Sequence, residues 1–284
     1  MGDPNTMLII HHGRMDSFQS SGWIMWWNFW VWHFFFAKIC IMQSIQYFYY
    51  YSMRIWFFDS WLGAKVVMDA FQKEFPDIEM ILEMDKENAP YGHRNWEEIR
   101  ELTKKWVERL YVRWADIVIL ACNTASVHAL RWLQQEIFVG RHILGVTVPW
   151  AEAVVEWGYK KIWVLATEAT VRTRMYKERV HILDDSVIIE EIWAPGLVPL
   201  IEQGIVSWAE IELLLREYLS QFSPNIEAIV LGCTHYPLIA HNIEQVWRSL
   251  YDTKIPDLID PGIEATKKFR RWMERRWLEF AKKI

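Results

Sequence analysis

One phrase occurs twice in this chain, and it limits what the chain can become. Residues 116–126 read DIVILACNTAS: an acid, four consecutive aliphatics, then Ala, Cys, Asn and Thr. An aliphatic run closed by small polar groups predicts a buried strand, and it places Cys122 at the carboxyl end, where ligands bind in open α/β sheets. The phrase returns 111 residues later as EAIVLGCTHY, residues 227–236, with Cys233 again six positions after the acid. A lone strand-end Cys reads most simply as a buried structural thiol. Two in matching positions predict two similar half-molecules, each offering a thiol from a strand end.

The intervening chain alternates strands and helices, as such halves require. Residues 54–58 predict a first strand and 64–75 an amphipathic helix stopped by Pro76. A second strand follows at 79–84. Asn95 then caps a helix that carries Glu97 and Glu98 in its first turn, as the macrodipole favours. After Cys122, Asn123 and Thr124 open a helix to about residue 136, whose free N–H groups suit a carboxylate. A strand at 142–146 and Pro149 mark the crossing into the second half. There, strands at 162–166 and 187–192 alternate with helices at about 170–180 and 207–221. The chain around 258–261 and the final basic helix are expected back in the first half. The domain map is therefore 53–148 plus about 240–284, and 149–239.

Four motifs carry a resemblance. ACNTA around Cys122 and GCTHYPL around Cys233 resemble the two cysteine motifs of glutamate racemase, within the aspartate/glutamate racemase superfamily. FDSWLG at 58–63 resembles that family's Asp-Ser-Gly loop, and APYG at 89–92 its Pro-Tyr-Gly loop. The likeness runs from about Met53 to Gly262. It implies an α/β fold of two doubly wound domains related by pseudo-twofold symmetry, with the active site in the cleft between them. It also implies cofactor-independent racemisation of glutamate, supplying D-glutamate for peptidoglycan in the cytoplasm. Cys122, Cys233, Asp59 and His235 would be catalytic. Asp59, Ser60, Tyr91, Gly92, Asn123, Thr124, Thr234 and His235 would bind substrate, with Asp85 and Glu202 as assisting acids.

The chemistry explains why two thiols are needed. Racemisation removes the α-proton from one face and returns a proton to the other, so matched groups on opposite walls serve where one residue would have to move. A thiol near its usual pKa of about 8.5 can be tuned towards neutrality by donors and helix N-termini. Three rivals remain. Aspartate racemase uses the same paired thiols, although GCTHYPL together with ACNTA favours glutamate. A zinc site from Cys122, Cys233 and His235 would draw strand-end ligands from separate halves without metal-site spacing. A degenerate, non-catalytic binding protein is the third rival, prompted by tryptophans that stand where the resemblance leads one to expect Gly, Trp61 in the Asp59 loop among them.

Composition excludes other classes. A net charge of −5 argues against a general nucleic-acid surface. Three cysteines without C-x-x-C spacing make no disulfide framework and suit a reducing compartment. A homodimer is compatible with all of this. Residues 1–52 have no counterpart in the resemblance. Residues 23–42 are apolar enough in length to span a bilayer, but Asn28, His33 and Lys38 interrupt the run, His33 at mid-span. No small-residue cleavage site follows it. The extension is therefore read as non-native, as membrane-associated or as an unusual packed segment, with Met53 as the start of the family-like chain.

Tryptophan is in excess: 19 Trp against 12 Gly. Five of the Trp and three of the Gly precede Met53, leaving 14 and 9. Average usage of about 7% Gly would give roughly seven more glycines over that length. Trp56, Trp61, Trp114, Trp150, Trp157 and Trp163 stand where the resemblance leads one to expect Gly. Drift would scatter replacements among residue types, whereas a codon written as Trp but read as Gly by the host, such as UGA, concentrates them in one. A chain beginning at Met53 is expected to match the full chain in far-ultraviolet circular dichroism and melting temperature. Loss of the cooperative transition on truncation would show that residues 1–52 belong to the fold.

Overall fold

Short aliphatic runs separated by amphipathic helices have one economical solution, a parallel sheet with its central strands covered on both faces. The computed structural model describes residues 6–11, 14–19, 40, 41, 45, 53–204 and 208–281. The chain divides into two units, Met1–Tyr50 with Phe280–Ile284, and Tyr51–Glu279. In the first, β1 (Thr6–His11) pairs antiparallel with β2 (Arg14–Gln19), from Thr6 opposite Gln19 to His11 opposite Arg14. The apolar run 23–42 lies outside the described residues apart from Cys40 and Ile41, which are both exposed. Among the described residues no helix is long and apolar enough to cross a membrane.

The second unit holds two four-stranded parallel sheets. The first contains β3 (Arg54–Asp59), β4 (Glu79–Met84), β5 (Ile117–Leu120) and β6 (His142–Gly145), in the order β4-β3-β5-β6. The second contains β7 (Lys161–Ala166), β8 (Ile188–Trp193), β9 (Ala228–Gly232) and β10 (Asp257–Ile259), in the order β8-β7-β9-β10. In each sheet the second strand of the half pairs with the first, then come the third and fourth. The register repeats as well. Leu120, two residues before Cys122, pairs with Phe58, and Leu231, two residues before Cys233, pairs with Leu165. The two halves predicted from the repeated phrase are thus copies down to individual rungs.

Helices flank the sheets: α1 (Ala64–Glu74), α2 (Trp96–Val112), α3 (Asn123–Trp132), α4 (Pro149–Glu156), α5 (Glu168–Arg172), α6 (Met175–Leu183), α7 (Leu197–Glu202), α8 (Trp208–Leu219), α9 (Ala240–Leu250) and α10 (Pro261–Ala281). Asn95 caps α2 as expected, accepting the Glu98 N–H at 2.8 Å. The expected helix at 170–180 is instead two, because Arg174 takes a left-handed φ of 52° and breaks the run.

The larger correction concerns where the chain returns to the first half. Residues 240–259 were assigned there. Instead β10 joins the second sheet, and Ile243, Val246 and Trp247 of α9 pack on Leu231 and Ile229 of that sheet. A three-residue strand is too short to declare its sheet from sequence. Only α10 crosses back, by setting Phe269 against Phe71 and Phe75 of the α1 segment, with ring centroids 5.4 and 5.3 Å away. Phe269→Ala is expected to lower unfolding free energy by about 3–5 kcal/mol in denaturant titrations. A loss under about 1 kcal/mol would mean that this cluster does not anchor the final helix.

Candidate active site

Each thiol sits where a strand ends and a helical turn begins. Cys122 follows β5 and caps α3, its sulfur accepting the Ala125 N–H at 3.4 Å. Cys233 follows β9, ahead of a 3₁₀ turn at Tyr236–Ile239. Both are buried. They line a cavity of about 180 Å³ shared with Asp59, Ser60, Trp61, Tyr91, Gly92, Asn123, Thr124, Thr167, Thr234 and His235. Every residue expected to be catalytic or to bind substrate is therefore gathered at one place, from the strand ends of both sheets and, for Tyr91 and Gly92, from a 3₁₀ turn at Tyr91–His93.

Asp59 ties the two halves together. Its Oδ1 accepts the Ser60 and Trp61 N–H groups at 2.6 and 3.3 Å, while its Oδ2 accepts the Thr234 hydroxyl at 3.0 Å from the other half. Ser60 Oγ lies 3.6 Å from Cys122 Sγ. Gly63 permits this approach: a Cβ there would sit 2.3 Å from Thr234 Oγ1 and 2.7 Å from His235 Cε1. On the second side, His235 Nδ1 lies 3.6 Å from Cys233 Sγ, and its Nε2 pairs with the Glu202 carboxylate. Glu202 also accepts the Leu62 N–H at 3.0 Å. It faces the imidazole and reaches the thiol only through that ring.

Asp85 does not line the cavity. It accepts the Tyr91 hydroxyl at 2.7 Å and the Asn88 amide at 2.9 Å, and so holds the Tyr91–Gly92 wall from behind. Thr167 and Thr170 were passed over in the sequence. Their hydroxyls form a triangle with Thr124, with edges of 2.9, 3.3 and 3.0 Å. The repeat itself could have found Thr167, which follows β7 in the position that Ser60 holds after β3. Tyr176, also unforeseen, donates to Asn123 Oδ1 at 2.6 Å.

Burial governs the electrostatics. It pushes the Cys122 thiol well up, reinforced by the Asp59 charge and opposed by the Ala125 N–H and the Ser60 hydroxyl. The expected tuning of this thiol towards neutrality is not what its protein surroundings produce. Burial also raises Asp59, against the pull of His235 and the Thr234 hydroxyl. For His235 burial acts in the opposite sense, but Cys233, Asp59 and Glu202 together overcome it and lift the imidazole to about 9. One side of the cavity thus keeps its sulfur protonated, and the other sets an imidazolium beside its sulfur. Among the described residues no group of three or more His, Cys, Asp or Glu is arranged to hold a metal ion.

Two doubly wound halves that bring strand-end thiols to one cavity define a class of two-domain α/β proteins with the site between the sheets. The comparisons specify it further. The Asp/Glu/Hydantoin racemase family matches residues 65–268, more than half of the chain. A glutamate racemase from Ruegeria sp. (strain TM1040) is 40% identical over 205 residues, covering 66% of this chain and 74% of its own. Among solved structures, glutamate racemase from Francisella tularensis in complex with D-glutamate superposes with a TM-score of 0.73 at 28% identity, covering 80% of this chain and 83% of its own. A Bacillus anthracis glutamate racemase gives 0.73 at 25%, covering 79% and 83%. The chain belongs to the aspartate/glutamate racemase family of isomerases.

His235 yields a pH prediction. Its folded pKa of about 9 exceeds its ordinary 6.5, so its contribution to stability is fully present below pH 6.5 and is lost as pH rises through about 9. Unfolding free energy should fall across that window in the parent and change much less in His235→Gln. Parallel pH profiles for the two proteins would show that the imidazole carries no charge of this kind.

Proposed function

We propose that the chain interconverts L- and D-glutamate without a cofactor, using Cys122 and Cys233 as alternating acid and base. The observation that carries this reading is the pair of buried sulfurs, each at the end of the third strand of its half, on one shared cavity. In one direction the Cys233 thiolate, beside the His235 ring, removes the α-proton and becomes a thiol. The electron pair spreads into the substrate carboxylate. Cys122, kept protonated by burial and by Asp59, then delivers its proton to the opposite face and becomes the thiolate. The pair is left reversed, ready for the other enantiomer. Asp59 assists the first thiol and His235 the second, while Glu202 positions His235.

Binding follows from the same arrangement. The N–H groups that open α3 after Cys122 favour a carboxylate. The hydroxyls of Ser60, Thr124 and Thr234, with Asn123, supply further polar partners around the reacting carbon. Tyr91 and Gly92 form a wall that packs directly against Thr167, where a Cβ on Gly92 would come within 2.9 Å of the Thr167 Cβ. The product enantiomer would supply D-glutamate to peptidoglycan.

Cys122→Ser and Cys233→Ser should each lower kcat for glutamate by about 10²–10⁴-fold, the usual worth of a positioned acid or base, with melting temperatures close to the parent's. Circular dichroism of L- and D-glutamate solutions follows the reaction, with aspartate as the competing substrate. A double variant that still interconverts glutamate at near-parental rate removes the mechanism, and faster turnover of aspartate changes the substrate.

A further inference from the structure

We infer that the fold is built for glycine at Trp56, Trp61, Trp114, Trp150 and Trp163, and that the functional form of this protein carries glycine there. Trp61 is the position that matters for activity. Four described tryptophans are buried: Trp56, Trp150, Trp163 and Trp247. A buried indole N–H normally finds an acceptor. Trp247 does, donating to Thr253 Oγ1 at 3.3 Å. The other three Nε1 atoms are buried with no partner.

The internal repeat makes the same division. Trp56 pairs with Val118 in β3–β5, and Trp163 with Ile229 in β7–β9, each two rungs before the residue that pairs with the pre-cysteine Leu. They are one position in the two halves, on the first strand of each sheet, with the same orphaned N–H. Trp163 also lies face to face on Phe222 with ring centroids only 3.4 Å apart, closer than the 4.5–7 Å that aromatic pairs prefer. Trp150 follows Pro149 at the start of the helix after the fourth strand of its half. The corresponding Pro261 is followed by Gly262.

Trp114 is exposed and has φ of 68°, a left-handed conformation that glycine adopts freely and a bulky side chain does not. Trp61 lies in the Asp59 loop and lines the cavity, its ring edge-on to His235 with centroids 6.4 Å apart. Its backbone N–H already serves Asp59, so what the position contributes to the site is backbone, and the indole adds bulk to the cavity wall. Trp157 separates from the set. It ends α4 with an ordinary φ of −83°, and the left-handed position is taken by Gly158 at 78°. A single codon written as Trp and decoded as Gly accounts for the group, because it replaces one residue type by one other regardless of environment.

The test has a sign that ordinary cores do not show. Replacing a buried Trp by Gly usually leaves a cavity and lowers the melting temperature. Here the five-fold Trp→Gly protein should melt above the parent, and Trp114→Gly alone should raise the melting temperature. Trp61→Gly should raise kcat/KM for glutamate by roughly tenfold or more, the scale on which misplacement in a site acts. Peptide mass spectrometry of the protein from its source cells reads glycine or tryptophan at each position directly. Tryptophan in those peptides, or a five-fold variant that melts lower than the parent, overturns the inference. Its activity arm rests on the racemase reading, whereas the melting and mass arms do not. Glycine in the peptides with a stable but glutamate-inert protein would therefore sink the reading and leave this inference standing.

Discussion

The arrangement depends on one carboxylate shared between two half-molecules. Asp59 closes its own loop through Oδ1 and accepts the Thr234 hydroxyl through Oδ2, so the strand end that faces Cys122 is tied to the loop that bears Cys233. Taking this group out of water disfavours its charge, which is why its pKa rises. His235 offsets part of that cost from the opposite half. The pairing that orients the two loops is therefore the pairing that sets their electrostatics, and neither half can complete it alone.

The two thiols are alike in position but unlike in surroundings. Cys122 has a hydroxyl, an amide and a buried carboxylate nearby, whereas Cys233 has an imidazole backed by Glu202. The position in the first half that corresponds to His235 is Thr124, which spends its hydroxyl on Thr167 and Thr170. A duplicated scaffold delivers two strand ends to one cavity, and the differences between their loops give the two sulfurs different neighbours. Symmetry supplies the geometry and asymmetry the chemistry.

The strands nearest the thiols were legible because they are fully apolar and end in small polar groups. The Tyr91 wall and the Glu202 segment were legible only through resemblance, since a turn bearing Tyr or a helix bearing Glu carries no local signal of its task. Thr167 and Tyr176 were missed because each acts from an element whose pattern reads as an ordinary helix start or core aromatic. The return of the chain was misread for a related reason. β10 has three residues, and only its hydrogen bonds to β9 assign it to a sheet.

What the sequence determined by itself was the duplication, the strand-end placement of both cysteines and the family motifs, all of which are local patterns whose period or spacing is written in consecutive residues. Tertiary structure decided how those pieces act on one another. It turned Asp85 away from the cavity to brace Tyr91, drew Glu202 to His235, and raised the Cys122 thiol through burial that no single segment contains. It also separated Trp247, whose N–H finds Thr253, from the three buried tryptophans whose N–H groups find nothing. Hydrogen-bond satisfaction and desolvation depend on what packs from distant parts of the chain, so these distinctions exist only once the two halves have closed on each other.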